Sequence, residues 1–183
     1  MRDMRADAIR NLDSVLQTGA RLLAHDPSTS ITTIATEAGV DRRTVYRRFA
    51  TREALLAAVF RTKLDATDQV FTDSRFDVAP VAVALHRYVE GIVPVMRRWP
   101  VDPERVRCDT EAYDRMLGQR ERFSAFVQRA VEEGVLREDL PDGMARGLLL
   151  RMIDLVSSKF PDIEPAPAAD LVVDALLCGI GQS

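Results

Sequence analysis

Apolar residues recur at intervals of three and four along most of the chain, which is the spacing of one buried face of an α-helix. Near the start, this apolar stripe consists of Ile9, Leu12, Leu16, Ala20 and Leu23. No segment convincingly alternates apolar and polar residues as a half-buried strand does. We therefore expect an all-α fold, with helices near residues 7–24, 31–38, 42–49, 51–72, 78–99, 103–117, 119–135, 142–160 and 166–180.

Capping and turn-forming residues separate these predicted helices. The segment 26–30 combines a helix stop, a turn and a new N-cap, and Asp41 suits the N-cap of the next short helix. The sequence FTDSRFDVAP at residues 71–80 is expected to join two regions of the chain. Pro94 lies inside a predicted helix and is expected to kink or split it.

Residues 30–49 carry the most specific pattern, because they predict two short helices joined by a tight turn. Gly39 can adopt the positive φ that ends the first of these helices. Val45 and Phe49 are four residues apart and hold one face of the second helix against a core. The remaining side chains of the second helix then face outward, namely Arg42, Arg43, Thr44, Tyr46, Arg47 and Arg48.

This outward face contains four arginines, a threonine hydroxyl and a tyrosine phenol, and it contains no acid. Arginine forms paired hydrogen bonds with guanine, and arginine, threonine and tyrosine all donate to phosphate oxygens. A helix presented in this way after a helix and a tight turn has the geometry of a recognition helix in the DNA major groove. The alternative is a solvated basic helix in an ordinary bundle, although such helices usually mix charges of both signs.

The distribution of charge agrees with a nucleic-acid partner for the N-terminal region. Residues 1–63 carry 11 Lys and Arg against 7 Asp and Glu, whereas residues 64–183 carry 14 against 21. A basic N-terminal region in an otherwise acidic chain indicates that only the N-terminal region meets a polyanion. An asymmetry of this modest size also arises by chance, so the charge balance alone decides nothing.

The motif resembles the DNA-binding domain of TetR-family transcriptional regulators. The matching residues are I-A-x3-G-V-x4-V-Y-x2-F at positions 34–49, followed by T-R-E-x-L at positions 51–55. Asp41 stands where the family usually has Ser or Thr, Val45 where it often has Leu, and Arg52 where it usually has Lys. The resemblance is specific over about residues 7–64, and beyond them it rests only on helical architecture and length.

The resemblance implies a DNA-binding domain at residues 1–64, with its helix-turn-helix at about 31–50, and an effector-binding and dimerisation domain at residues 65–183. It implies that the second short helix reads base edges from its N-terminal turn and that the surrounding residues hold phosphates. For Arg48 and Arg52 a purely solvent-facing role is an open alternative. The implied DNA contacts are Thr33, Arg42, Arg43, Thr44, Tyr46, Arg47, Arg48 and Arg52.

In the family, the helices before about residue 135 enclose a small-molecule effector. The implied partner is an apolar or aromatic compound that releases the regulator, most simply a repressor, from its operator by tilting the helix that begins at Thr51. For any single residue, membership of an ordinary helical core is the alternative. The expected pocket residues are Tyr88, Met96, Trp99, Tyr113, Met116, Arg120 and Phe123.

The last two predicted helices are apolar on nearly all faces, so they must be buried on nearly all sides. In a chain of 183 residues a subunit interface is a natural burial partner, and the resemblance implies a homodimer with a four-helix bundle. The alternative is that each helix is central within its own chain. The expected interface residues are Leu148, Met152, Leu155, Val172, Leu176 and Ile180.

Other chemistry finds little support in the sequence. His86 and Glu90 are four residues apart and could share a metal, but two such ligands are common by chance; we expect no metal site and no cofactor. Phosphate-binding, nucleophile-elbow and zinc-protease motifs are missing, so an enzyme or a helical binding protein without DNA affinity is the weaker alternative. Two cysteines, no apolar stretch of membrane-spanning length and no secretory signal indicate a cytoplasmic protein.

Overall fold

The structure is a computed structural model that describes residues 2–101 and 109–181, with side chains described for residues 7–101, 109–179 and 181. Within these ranges the chain forms eight helices and no strand; a single isolated bridge pairs Leu136 with Gly181. The helices are α1 (Arg2–His25), α2 (Ile31–Glu37), α3 (Arg42–Arg48), α4 (Arg52–Ser74), α5 (Val81–Arg98), α6 (Thr110–Glu132), α7 (Met144–Lys159) and α8 (Pro165–Ile180).

The all-α prediction is confirmed, and one detail of it is corrected. The helices predicted at 103–117 and 119–135 form one helix, α6, because Gly118 continues a helix and no proline separates the two stretches. Residues 103–108 of that prediction lie outside the described ranges. Helix α5 continues through Pro94 to Arg98, so the helix is not split there, and the kink expected as the alternative stays a prediction.

Contacts divide the chain into two compact units. Unit 1 comprises residues 1–64 and 98–113, and unit 2 comprises residues 65–97 and 114–183. The chain therefore passes from unit 1 to unit 2 within the continuous helix α4.

Unit 1 is built on the apolar stripe of α1 and on the two short helices. Val15, Ala20 and Leu23 of α1 are buried, while Ile9 at the start of the stripe is exposed. Ile34 on α2 is fully buried, as is Leu55 on α4. These residues form the core against which the helix-turn-helix packs.

The family resemblance puts residues 98–113 in the effector domain, but their described part belongs to unit 1. Trp99 and Val101 are buried, at 3% and 4% exposure. The Lys63 ammonium donates a hydrogen bond of 3.0 Å to the carbonyl of Val101. The burial of these apolar side chains and this long-range hydrogen bond explain why these residues belong to unit 1. No local pattern in the sequence predicts such long-range contacts.

Unit 2 has a core of tightly packed aromatic side chains from α4, α5, α6 and the turn after α4. The Phe76 and Phe126 rings stack with centroids 4.0 Å apart, and Phe71, Tyr88 and Phe123 surround them. Helices α7 and α8 pack on each other and contribute further apolar residues to this core. No helix within the described ranges is long and apolar enough to cross a membrane.

The positive φ at the turn between α2 and α3 leads to a prediction about stability. Gly39 has φ +67°, a conformation that costs a residue with a Cβ about 1–2 kcal/mol. We expect Gly39→Ala to destabilise unit 1 by about 1 kcal/mol, measured as a lowered urea midpoint at fixed protein concentration.

Gly118→Ala is the matched control, because Gly118 lies inside α6 and a methyl group added there would meet no other atom within 4 Å. Alanine at this position should stabilise the protein by up to about 1 kcal/mol. A Gly39→Ala protein as stable as the parent would contradict the strained-turn assignment.

Candidate DNA-binding surface

Both short helices begin at side-chain caps. The Ser30 hydroxyl accepts a hydrogen bond of 3.0 Å from the Thr33 backbone N–H at the start of α2. The Asp41 carboxylate accepts one of 3.1 Å from the Thr44 backbone N–H at the start of α3. Each bond satisfies an amide that has no partner inside its helix, so the caps fix where each helix starts. Both caps were predicted from the sequence, and both are confirmed.

The turn between the helices is held by backbone hydrogen bonds. The Val40 N–H donates to the Ala35 carbonyl at 3.0 Å and the Gly39 N–H to the Thr36 carbonyl at 3.2 Å, while Gly39 supplies the positive φ. The Ser14 hydroxyl of α1 donates to the Ala38 carbonyl at 3.0 Å. This third bond ties the end of α2 to α1.

Two apolar side chains hold α3 against the core of unit 1. Val45 is 2% exposed and Phe49, which follows the helix, is 7% exposed. They are the two residues that the sequence pattern assigned to the inner face. Because α3 spans only seven residues, these two contacts determine which of its faces meets solvent.

The outer face of α3 is exposed along its whole length. All six predicted outward residues are exposed. None of the four arginines forms an ion pair with a residue that the structure describes, whereas Arg21 of α1 is paired with Glu37 at 2.9 Å. We call this surface, formed by Arg42, Arg43, Thr44, Tyr46, Arg47 and Arg48, the basic face of α3.

Tyr46 is oriented by neighbours on both sides. The guanidinium carbon of Arg42 lies 5.6 Å from the centre of its ring. Its hydroxyl lies 3.5 Å from the Thr32 hydroxyl of α2, at the long limit of a hydrogen bond. Thr32 was not among the predicted site residues. The sequence could have indicated Thr32 by its position in the first turn of α2, next to the predicted Thr33.

Two predicted DNA contacts, Thr33 and Arg52, lie outside α3. Both are exposed, and each contacts a neighbouring side chain. The Thr33 hydroxyl lies 2.8 Å from the Ser30 hydroxyl, so it shares the cap of α2. The Arg52 guanidinium lies 3.1 Å from the Glu53 carboxylate at the start of α4. Hydrogen bonds with the helix backbone and within this pair lower the pKa of Glu53, so its carboxylate competes with any phosphate for Arg52.

Comparison with known proteins identifies this arrangement. Residues 15–59 match the model of bacterial regulatory proteins of the tetR family. This segment is therefore similar to the DNA-binding domain of the tetR family. The match covers the second half of α1, α2, α3 and the first part of α4, which is the region that the sequence motif indicated.

Solved structures share the fold over nearly the whole chain. The TetR-like regulator LfrR from Mycobacterium smegmatis, solved in complex with proflavine, has a TM-score of 0.70 at 23% identity, covering 93% of this chain and 97% of that chain. The TetR-family regulator PfmR from Thermus thermophilus has a TM-score of 0.69 at 22% identity, with coverages of 90% and 97%.

The ketosteroid transcriptional regulator KstR2 of Mycobacterium tuberculosis has a TM-score of 0.68 at 20% identity, covering 92% and 94%. At such identities the likeness establishes the TetR fold, with its N-terminal helix-turn-helix domain and helical C-terminal domain. A comparison with curated proteins found no match.

The expected pocket residues are divided between the two units. Tyr88 and Phe123 are buried in the aromatic core of unit 2, and Met96 is partly buried against that core. Met116 is half-buried and Arg120 is exposed on α6. Trp99 and Tyr113 belong to unit 1. A cleft of about 340 Å³ in unit 2 is lined by none of these seven residues.

The expected interface residues fall into two groups. Leu148 and Leu155 on α7 are 40% and 50% exposed, and Met152 between them is half-buried. Val172 and Leu176 on α8 are buried in the core of their own unit, at 2% and 4% exposure. The Ile180 side chain lies outside the described part of the chain. Further exposed apolar side chains on or beside these helices are Met144, Leu150, Phe160 and Leu171.

His86 contacts two carboxylates on the surface of unit 2. Its Nε2 lies 2.9 Å from the Asp170 carboxylate of α8, and its Nδ1 lies 3.7 Å from the Glu90 carboxylate. Across residues 2–101 and 109–181, no three His, Cys, Asp or Glu side chains are placed to hold a metal.

Proposed function

We propose that this protein is a ligand-responsive transcriptional regulator, most simply a repressor, that binds a pseudo-palindromic DNA operator as a homodimer and is released by a small molecule. The observation that carries the proposal is the basic face of α3. It is exposed, it contains four arginines without a described carboxylate partner, and the burial of Val45 and Phe49 fixes its direction.

The chemistry of this face suits the edges and backbone of duplex DNA. Arg42, Arg43 and Thr44 occupy the N-terminal turn of α3, the part of a recognition helix that reaches base edges in the major groove. Tyr46 would donate its hydroxyl to a phosphate. Arg47 and Arg48 would contribute backbone or base contacts, and Thr33 and Arg52 would contact phosphates from the first turns of α2 and α4.

The small size of the recognition helix α3 favours a homodimer. One two-turn helix reads a half-site only, so specificity needs a second copy about one turn of DNA away. Exposed leucines on α7 are the surface that a partner subunit would cover, because isolated domains rarely leave several large apolar side chains in water. We place the interface on α7 and α8, with Leu148, Met152 and Leu155 as its apolar residues.

Release by a ligand would use helix α4. This helix continues without a break from Arg52, next to the helix-turn-helix, to Ser74 in unit 2. We assign DNA binding to residues 1–64 and effector binding and dimerisation to residues 65–183. LfrR was solved with proflavine and KstR2 is a ketosteroid regulator, which supports a small-molecule effector here. A tenfold loss of DNA affinity requires about 1.4 kcal/mol of coupling.

The basic face can be tested by removing two of its arginines. We expect Arg42→Ala/Arg43→Ala to bind its operator at least about tenfold more weakly, since one guanine-reading arginine contributes about 1–3 kcal/mol. The operator is first obtained by sequencing genomic fragments that the purified wild-type protein retains. Affinity is then measured by fluorescence anisotropy over a range of salt concentrations.

The matched control is Arg87→Ala/Arg122→Ala, which removes two exposed positive charges from unit 2. It should retain operator affinity, because these charges lie outside the unit that contains α3. If both double variants bind equally well, the recognition helix is assigned wrongly. If the wild-type protein retains no DNA, the alternative of a helical binding protein without DNA affinity is favoured.

The interface can be tested with charges placed on exposed and buried leucines. We expect Leu148→Glu/Leu155→Glu to be a folded monomer, because both side chains meet solvent in the single chain and would meet the partner in the dimer. Leu176→Glu should instead lose helical content, because Leu176 is buried within its own unit. Sedimentation and circular dichroism distinguish these results.

Ser158→Glu is the control for a charge on an exposed, polar position of α7, and it should remain a dimer. A wild-type protein that sediments as a monomer at micromolar concentration would overturn the proposed assembly.

A further inference from the structure

The exposed arginines at the start of α3 point to different sides of the helix. Residues four positions apart share one side, so Arg42 lies in line with Tyr46, and Arg43 lies in line with Arg47. Successive residues are about 100° apart around the helix axis, which puts Arg43 and Arg47 opposite the buried Val45. Arg42 and Tyr46 lie instead on one flank, between the outer and the inner side.

The flank that carries Arg42 and Tyr46 meets α2. The Tyr46 hydroxyl lies 3.5 Å from the hydroxyl of Thr32, a half-buried residue in the first turn of α2. The Arg42 guanidinium carbon lies 5.6 Å from the centre of the Tyr46 ring, within the range of a cation–π contact. Two helices thus bring three hydrogen-bond donors together. We call Thr32, Arg42 and Tyr46 the α2–α3 donor cluster.

The acidic residues that are nearest in sequence have other partners. Glu37 at the end of α2 contacts Arg21 of α1 at 2.9 Å, and the Asp41 carboxylate accepts the Thr44 backbone N–H at 3.1 Å. Arg42 forms no ion pair with a residue that the structure describes. The donor cluster therefore combines two hydroxyls with a positive charge that no carboxylate offsets, which suits an oxyanion.

The spacing of the two hydroxyls fits one phosphate group. A hydrogen bond from a hydroxyl to an anionic oxygen spans about 2.5–2.7 Å. Two hydroxyls 3.5 Å apart can therefore both donate to the oxygens of a single phosphate, since these oxygens share one phosphorus atom. The Arg42 guanidinium, beside the Tyr46 ring, adds the positive charge that the same phosphate requires.

The outer side of α3 differs from this flank. Arg43 and Arg47 are exposed, and neither contacts a ring, a carboxylate or a hydroxyl among the residues that the structure describes. Their guanidinium groups are free to form the paired hydrogen bonds by which arginine reads a guanine edge. The two arginines in the first turn of α3 are thus adjacent in sequence but have different surroundings.

We propose that Thr32, Arg42 and Tyr46 bind one phosphate of the operator backbone, whereas Arg43 and Arg47 read the bases. Arg42 then contributes affinity and register, and sequence preference depends on its neighbour Arg43. This inference rests on the proposed function, because it divides the DNA-binding surface into a phosphate site and a base-reading site.

The first test separates affinity from sequence preference. Arg42→Ala and Arg43→Ala are each titrated with the operator, with operators that carry single base-pair changes, and with an unrelated duplex. We expect Arg42→Ala to bind all of them about tenfold more weakly, with a slope of log affinity against log salt reduced by about one for each half-site. Arg43→Ala should lose its preference at one base pair of each half-site.

The result that would overturn this division is equally specific. If Arg42→Ala loses its preference at one base pair and keeps the salt slope of the wild-type protein, Arg42 reads a base. If Arg43→Ala weakens all duplexes by the same factor, Arg43 is not the specificity-determining residue.

The second test locates the phosphate. Each backbone phosphate of the half-sites is replaced in turn by a neutral methylphosphonate. At one position in each half-site this should weaken the wild-type protein about tenfold, because charge-assisted hydrogen bonds are lost. Arg42→Ala, Thr32→Val and Tyr46→Phe should each lose little more at that position and stay sensitive at the others. Losses that map to different phosphates overturn the shared site.

Two variants control for the hydroxyl of Thr32. Thr32→Ser retains a hydroxyl and should bind the operator like the wild-type protein. Thr72→Val removes an exposed hydroxyl of unit 2, which donates to the Asp68 carbonyl of its own helix, and should also bind like the wild-type protein. Urea midpoints show whether Thr32→Val is folded. Operator affinity that is unchanged in both Thr32→Val and Tyr46→Phe overturns the proposal.

Failure of the proposed function gives a different result. A wild-type protein that binds no duplex refutes DNA binding, and this inference with it. A wild-type protein that binds its operator, together with an Arg42→Ala variant of altered base preference, refutes the phosphate site alone.

Discussion

The orientation of α3 depends on the burial of two side chains. A helix of seven residues gains too few internal hydrogen bonds to persist in water by itself. Val45 and Phe49 hold it through contacts with the core of unit 1, while Asp41 fixes its start and Gly39 allows the reversal before it. Burying each of these apolar side chains contributes roughly 1.5–3 kcal/mol. All six outward side chains of α3 are presented as one surface only because this inner face is held.

Local patterns in the sequence predicted this part of the molecule well, because local interactions determine it. The caps at Ser30 and Asp41, the turn at Gly39 and the inner pair Val45 and Phe49 are all defined by residues a few positions apart. The boundaries of most helices follow from the same kind of signal. Thr32, which meets Tyr46, was missed because that contact joins two helices.

Local sequence patterns did not predict the features that tertiary packing determines. Trp99 was expected in the effector domain, yet it is buried in unit 1 through contacts between distant segments. A helix that is apolar on all faces must be buried, but its sequence does not show whether its own chain or a partner subunit covers it. On α8, Val172 and Leu176 are covered by their own unit, whereas on α7 Leu148 and Leu155 are not.

The most direct test of the account asks whether the outer face of α3 lies in the DNA groove. In a protein with Cys108→Ser and Cys178→Ser, the substitution Thr44→Cys allows an iron–EDTA reagent to be attached to α3, and Arg87→Cys provides the same attachment in unit 2. With Thr44→Cys, the account predicts DNA cleavage centred on the major groove of two half-sites, about one or more whole helical turns apart. Cleavage from position 44 no stronger or better localised than from position 87 would contradict it.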